Sequence, residues 1–248
     1  MQYVLSENDR IYRDRSWSNS LGARQMHEDG RPYHTFRTAT LLADGDRLLF
    51  ENCRFENTAG PGAEAGQAIA LYLDGDGIVL RNCSIYGHQD TLFLAPLPPK
   101  ELEKDGFLGP KQFTPRTRRS YLFEGCRIYG GVDFIFGGAT ALFRDCEFIN
   151  IEPGYVFAPC TPEDCDTGFT ALNCRFLRSS PEEVPDGSTY IARPWREFAK
   201  VRLENCFLDA HIAAEGFADW NERKATVRFE EYGSTGPGAG KRPDWISQ

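Results

Sequence analysis

The chain has 248 residues, 41% of them hydrophobic, and a formal net charge of −8. That length suits one elongated domain with a continuous core, and no linker-like shift in composition divides it, so a single domain over 1–248 is expected. The net negative charge argues against a nucleic-acid partner, and no apolar run reaches the roughly 18 residues that a membrane-crossing helix needs.

Segment 1–7 has neither the basic start nor the apolar core of a signal peptide, so a cytoplasmic protein is expected. The first regular feature is the stretch Leu49-Phe50-Glu51-Asn52-Cys53-Arg54-Phe55. It returns in close variants around Cys83, Cys126, Cys146, Cys174 and Cys206, at intervals of 30, 43, 20, 28 and 32 residues. Recurrence at such spacings marks a solenoid or propeller. Each copy alternates apolar and polar residues, the period of a strand. Turn residues such as Asp74-Gly75-Asp76-Gly77 and Gly130-Gly131 separate the copies. A solenoid of short strands is a β-helix, its coils about 4.8 Å apart, and the six cysteines then form one buried ladder.

Two aspartates follow ladder cysteines at the same offset: Asp90 lies seven residues after Cys83, and Asp133 seven after Cys126. In a β-helix that places the two carboxylates on neighbouring coils. Close carboxylates do not both ionise freely, so one is expected to hold a proton while the other stays charged. Between them, segment 95–120 carries Lys100, Lys104, Lys111, Arg116, Arg118 and Arg119 against three acidic residues. It is expected to form a basic wall of a groove beside the aspartates. Gln67 precedes an apolar strand, Gln89 precedes Asp90, and Arg193-Pro194-Trp195 closes the list of conspicuous polar motifs. Cys160 and Cys165 stand outside the ladder and are expected to be free thiols. The cysteine spacings do not match a zinc site, and no metal is expected.

These motifs together resemble the pectin methylesterase family over about 35–238. Gln67-Ala68-Ile69-Ala70-Leu71, Gly87-His88-Gln89-Asp90-Thr91, Val132-Asp133-Phe134-Ile135-Phe136-Gly137 and Ala192-Arg193-Pro194-Trp195 stand in the family's order. The resemblance implies an all-β, right-handed parallel β-helix. It implies an esterase acting on methyl-esterified galacturonan or oligogalacturonate, with no cofactor, and a monomer is expected. Asp133 would be the nucleophile and Asp90 the general acid and later base. Gln67 and Gln89 would stabilise an oxyanion, and Arg193 would hold Asp133 ionised. Trp195, Tyr72, Phe93 and Phe134 would contact sugar, although for Phe134 and Phe136 a purely core role fits strand alternation equally well.

Two departures from the family pattern stand out. The early strands with a Gly-x-Tyr-x-Glu motif are not found, so one or two N-terminal coils are expected to be missing. Ala192 stands where glycine is common; its methyl group either shifts Arg193 slightly or is harmless. The long segment 100–119 resembles a loop of bacterial members without signal peptides, which points to short pectic oligomers as substrates. Two other functions fit a β-helix: a non-catalytic carbohydrate-binding protein, and a polysaccharide hydrolase or lyase.

Overall fold

The computed structural model describes residues 2–248. Its strands are short, two to five residues, and they assemble into three parallel sheets of seven, eight and seven strands. The first sheet runs Tyr3–Leu5, Leu41–Ala43, Leu71–Leu73, Leu92–Leu94, Ile135–Gly137, Tyr155–Pro159 and Tyr190–Ala192. The second begins with Ile11–Arg13 and Leu49–Glu51 and ends with Arg228–Tyr232, and the third begins with Ser16–Asn19 and Arg54–Asn57. Within each sheet the neighbour of a strand lies one coil away in the chain, for example Leu71–Leu73 beside Leu92–Leu94. The three sheets are the faces of a parallel β-helix.

The Asn-Cys motif is a corner rather than one continuous strand. Leu49–Glu51 ends in the second sheet, Asn52 turns the chain, and Arg54–Asn57 starts in the third. Asn52, Asn82, Gly125, Asp145, Asn173 and Asn205 all have positive φ, between 50° and 61°. Glycine, asparagine and aspartate are the residues that adopt this left-handed geometry at least cost, which is why the position before each cysteine is so restricted. The cysteine that follows turns inward, and the six ladder thiols are 0–2% exposed. Several donate to a carbonyl of the coil before, as Cys83 Sγ does to Phe50 O at 3.5 Å. All eight cysteines are unbridged, Cys160 and Cys165 included.

A coil stands ahead of the first Asn-Cys corner. Strands Tyr3–Leu5, Ile11–Arg13 and Ser16–Asn19 pair in parallel with the first-corner coil in all three sheets. Asp14, with φ 51°, makes its left-handed turn. The register sets Arg13 against Glu51 and Ser16 against Arg54, so Arg15 occupies the place of a ladder cysteine. That arginine hides the coil from a search for Asn-Cys.

The interior is filled by stacked phenylalanines, among them Phe123 and Phe143 with ring centroids 4.6 Å apart. A second apolar cluster lies on the outer face of the first sheet. It joins Phe36, Ile69, Tyr72, Phe93, Phe107 and Phe136, with Trp195 packed at its edge. Both faces of the first sheet are therefore buried near its centre, unlike a sheet with one wet face. The outer cluster is the floor on which the functional site rests.

Candidate active site

A cleft of about 650 Å³ opens over the outer cluster. Gln67, Gln89, Asp90, Asp133, Arg193 and Trp195 all line it. Residues far apart in the chain meet there because each belongs to a coil at or near the first sheet.

Asp90 and Asp133 sit at equivalent corners, between the third and first sheets. The corner of Asp90 links Ser84–Tyr86 to Leu92–Leu94, and that of Asp133 links Arg127–Gly130 to Ile135–Gly137. The Asp90 amide donates to Val132 O at 3.0 Å, which stacks one corner on the other. Both aspartates have left-handed backbone, φ 62° and 51°. Non-glycine residues held this way cluster at functional sites, where surrounding structure imposes them. Gly131 permits the stacking: a Cβ there would lie 2.0 Å from Cγ of Glu152, a residue of the next coil.

The two carboxyls are only 8–9% exposed, yet their surroundings differ. Arg193 grips Asp133 with both arms, Nε to Oδ1 at 2.7 Å and Nη2 to Oδ2 at 2.6 Å. Burial raises the Asp133 pKa above the ordinary carboxylate value, and the hydrogen bonds and charge of Arg193 oppose that rise. Asp90 is pushed well above the ordinary value, first by burial and then by the neighbouring Asp133 charge. The asymmetry favours the negative charge on Asp133 and the proton on Asp90.

Arg193 is itself clamped. Its guanidinium lies 3.9 Å from the centre of the Tyr155 ring and 4.1 Å from that of Trp220. Flat cationic guanidinium between two rings is held in orientation as well as attracted. Gln89 is held by the short helix Gly62–Ala65, against which it packs so closely that a Cβ on Gly62 would lie 2.2 Å from Oε1.

Several sequence expectations are corrected here. Tyr72 is 1% exposed, and Phe93 and Phe134 are fully buried, so none of the three presents a face to a sugar. Phe134 points into the interior. Tyr72 and Phe93 point outward, as strand alternation requires, but Phe36 covers them. The aromatic rings that do line the cleft are Phe36, Phe107, Phe136, Trp195 and Trp220. The methyl group of Ala192 belongs to the interior cluster, on the face opposite the cleft, which agrees with the harmless alternative.

The expected basic wall is also absent from the cleft. Lys111 pairs with Asp44 at 2.5 Å and Asp74 at 3.5 Å, and Arg118 pairs with Asp164 at 2.6 Å. Arg116 donates to backbone carbonyls including Gln112 O, at 2.7 Å. From this segment the cleft receives Leu102, Glu103, Gly106 and Phe107 instead. Sequence reading also missed Tyr155, Arg24, Arg196 and the role of Trp220. Tyr155 and Arg24 stand beside no recognisable motif, Arg196 follows Trp195 directly, and Trp220 ends a stretch, Glu215-Gly216-Phe217-Ala218-Asp219-Trp220, that resembles the family's C-terminal part.

Parallel coils that stack two buried carboxyls, one of them arginine-bound, under an open aromatic cleft define a β-helix protein with a paired-carboxyl site. Comparison with known proteins narrows this class. A family model described as Pectinesterase matches residues 15–96 and 113–247, and the chain belongs to that family. A pectinesterase of Petunia integrifolia is 33% identical over 224 residues, covering 85% of this chain and 54% of that protein. A probable pectinesterase/pectinesterase inhibitor of Arabidopsis thaliana is 34% identical over 235 residues, covering 86% of this chain and 35% of that protein. The chain spans from about a third to about half the length of these curated relatives. A solved pectin methylesterase of Erwinia chrysanthemi superposes with TM-score 0.76 at 22% identity, over 100% of this chain and 80% of that one. The carrot enzyme gives TM-score 0.76 at 25% identity, over 99% and 76%.

Proposed function

We propose that the protein hydrolyses methyl esters of galacturonate units in pectin or pectic oligosaccharides, releasing methanol. The observation that carries this reading is the two-armed Arg193–Asp133 pair one coil from the buried carboxyl of Asp90, whose pKa burial and the Asp133 charge push well above the ordinary value. A carboxylate is a weak nucleophile, and it becomes a useful one when it is kept charged, oriented and close to its target.

In this reading Asp133 attacks the ester carbonyl carbon, and the carbonyl electrons move onto oxygen. Amide N–H groups of Gln67 and Gln89 stabilise that oxyanion. As the carbonyl re-forms, the bond to the methoxy oxygen breaks and Asp90 supplies the proton that lets it leave as methanol. The galacturonate is now an anhydride on Asp133. Asp90, ionised, takes a proton from water while the water oxygen attacks the same carbonyl. The bond to Asp133 breaks, Asp133 regains its charge and Asp90 its proton.

Trp195 serves as a sugar platform, because it is a half-buried aromatic that lines the cleft. Eight unbridged cysteines support a reducing compartment, and hence the cytoplasm, as the place of action.

The test is methanol release from methyl-esterified oligogalacturonates and long pectin, with chain length followed in parallel. Release with unchanged chain length, lost in Asp133→Asn, is the expected result. Shortened chains would replace the esterase reading with a hydrolase or lyase.

A further inference from the structure

The pectinesterase family model passes over 97–112, yet this stretch builds part of the cleft wall through Leu102, Glu103 and Phe107. It is firmly seated. Phe107 packs edge-on against Phe36 and Trp195, at 6.0 and 6.5 Å between ring centres. Lys111 ties the far end of the stretch to Asp44 and Asp74, which stand on successive coils. Arg196 Nη2 donates to Lys100 O at 3.3 Å and fixes the near end.

What this wall offers a ligand is specific. Leu102 is 69% exposed although it faces the cleft. The neighbouring Glu103 is exposed as well, and its carboxylate forms no ion pair among the described residues. An apolar side chain favours a methyl group beside it, and a free carboxylate repels another. Among the described residues, the cleft arginines other than Arg193, namely Arg24 and Arg196, are engaged by backbone carbonyls. Arg24 donates to Ala63 O and to Glu64 O, and Arg196 to Trp195 O and Lys100 O.

We propose that 97–112 is a specificity wall that selects, beside the reacting ester, a galacturonate unit that is itself methyl-esterified. Leu102 contacts the neighbouring methyl ester, and Glu103 repels the free acid. This rests on the esterase reading, which it deepens by naming the substrate's neighbouring unit.

The experiment compares kcat/KM for fully methyl-esterified oligogalacturonates with that for oligomers bearing one free carboxylate next to the ester. Wild type is expected to favour the fully esterified oligomer. Glu103→Gln reduces that preference about fivefold, the effect of one charge across a few ångströms of wet cleft. Leu102→Ala lowers kcat/KM for the fully esterified oligomer about tenfold, as loss of apolar contact with a substrate methyl does. Preference unchanged in both variants, or a wild type faster on the free-carboxylate oligomer, overturns the proposal; the second result transfers charge selection to Arg24 and Arg196. Equilibrium binding of the same oligomers in an Asp133→Asn background separates the two readings. No methanol from wild type would remove the esterase reading, while the binding preference would still decide the role of the wall.

Discussion

Arg193 holds both oxygens of Asp133, at 2.7 and 2.6 Å, while the carboxyl of Asp90 one coil away forms no ion pair among the described residues. One arginine thereby makes two chemically identical side chains at equivalent corners unequal: it opposes the rise in the Asp133 pKa, while that of Asp90 is pushed well above the ordinary value. The corner geometry supplies the closeness, and Arg193, arriving from a later coil, supplies the difference.

Replacing Arg193 by lysine therefore does more than weaken one contact. Lysine is a point charge and cannot reproduce the two-armed grip. Asp133 loses hydrogen bonds that oppose its burial, so its pKa rises further. We expect kcat to fall by about 10²–10³-fold, the cost of removing one positioned electrostatic partner. The acid limb of the pH–rate profile should move to higher pH. A profile that falls uniformly without moving would show that Arg193 does not set the ionisation of Asp133.

Asp90→Asn separates activity from stability. The general acid is lost, so methanol release should fall about 10²–10⁴-fold. Stability should change in the opposite direction. The folded pKa of Asp90 is raised above its unfolded value, so the folded state binds the proton more tightly. Wild-type stability is then fully present below the unfolded pKa and declines as pH rises toward the folded one. Asparagine has no such decline. Thermal unfolding is expected to show the variant more stable than wild type at neutral pH, with the gap closing on acidification. Equal unfolding temperatures at every pH would contradict the assigned shift.

Trp220 and Tyr155 enclose the Arg193 guanidinium. Trp220→Ala removes one plate of that clamp, an interaction of about 0.5–2 kcal/mol. We expect kcat to drop by a factor of roughly 2–30, with the acid limb displaced as in Arg193→Lys but less, and substantial rescue by Trp220→Phe. Loss confined to KM would make Trp220 a sugar platform instead.

Much of this arrangement was legible in the chain. The equal offsets of Asp90 and Asp133 from ladder cysteines announced stacked carboxyls, because a β-helix turns sequence period directly into spatial neighbourhood. Three parts were not legible, for separate reasons. Alternation correctly sent Tyr72 and Phe93 to the outer face, but nothing local reveals that Phe36 covers them. Arg15 replaces the cysteine of the leading coil and so erases its signature, although Asp14 keeps the left-handed corner. Trp220 lies 27 residues beyond Arg193 with no shared motif, and only the folded coils bring their side chains together. The charges of segment 95–120 misled because a count does not show direction; Lys111 and Arg118 are engaged by Asp44, Asp74 and Asp164.

The left-handed corners make a direct prediction about stability. Asn82 has φ 50° and is exposed, so its side chain contributes little burial. Asn82→Ala forces a Cβ-bearing residue without a short polar side chain into that geometry, at a cost of about 1–2 kcal/mol. Asn82→Gly should cost much less, because glycine accepts positive φ freely. Chemical denaturation of the pair tests this: similar losses for both variants would mean that the asparagine acts through its side chain rather than its backbone.

His211 gives the last prediction. It is fully buried, its Nε2 is 3.3 Å from Asn150 Oδ1, and burial lowers its pKa to about 4. The folded state therefore holds the neutral ring, whereas an unfolded histidine titrates near its ordinary value of about 6.5. Above that value neither state binds the proton and the histidine makes stability independent of pH. As pH falls from about 6.5 toward about 4, the unfolded chain takes up a proton that the folded chain refuses, and stability declines. The full effect is on the order of 3 kcal/mol, since each pKa unit corresponds to about 1.4 kcal/mol. His211→Gln keeps a polar partner for Asn150 and removes the titration. Denaturation midpoints measured from pH 7 to pH 4 should fall less steeply in the variant than in wild type, and parallel curves would exclude His211 as the source of acid sensitivity.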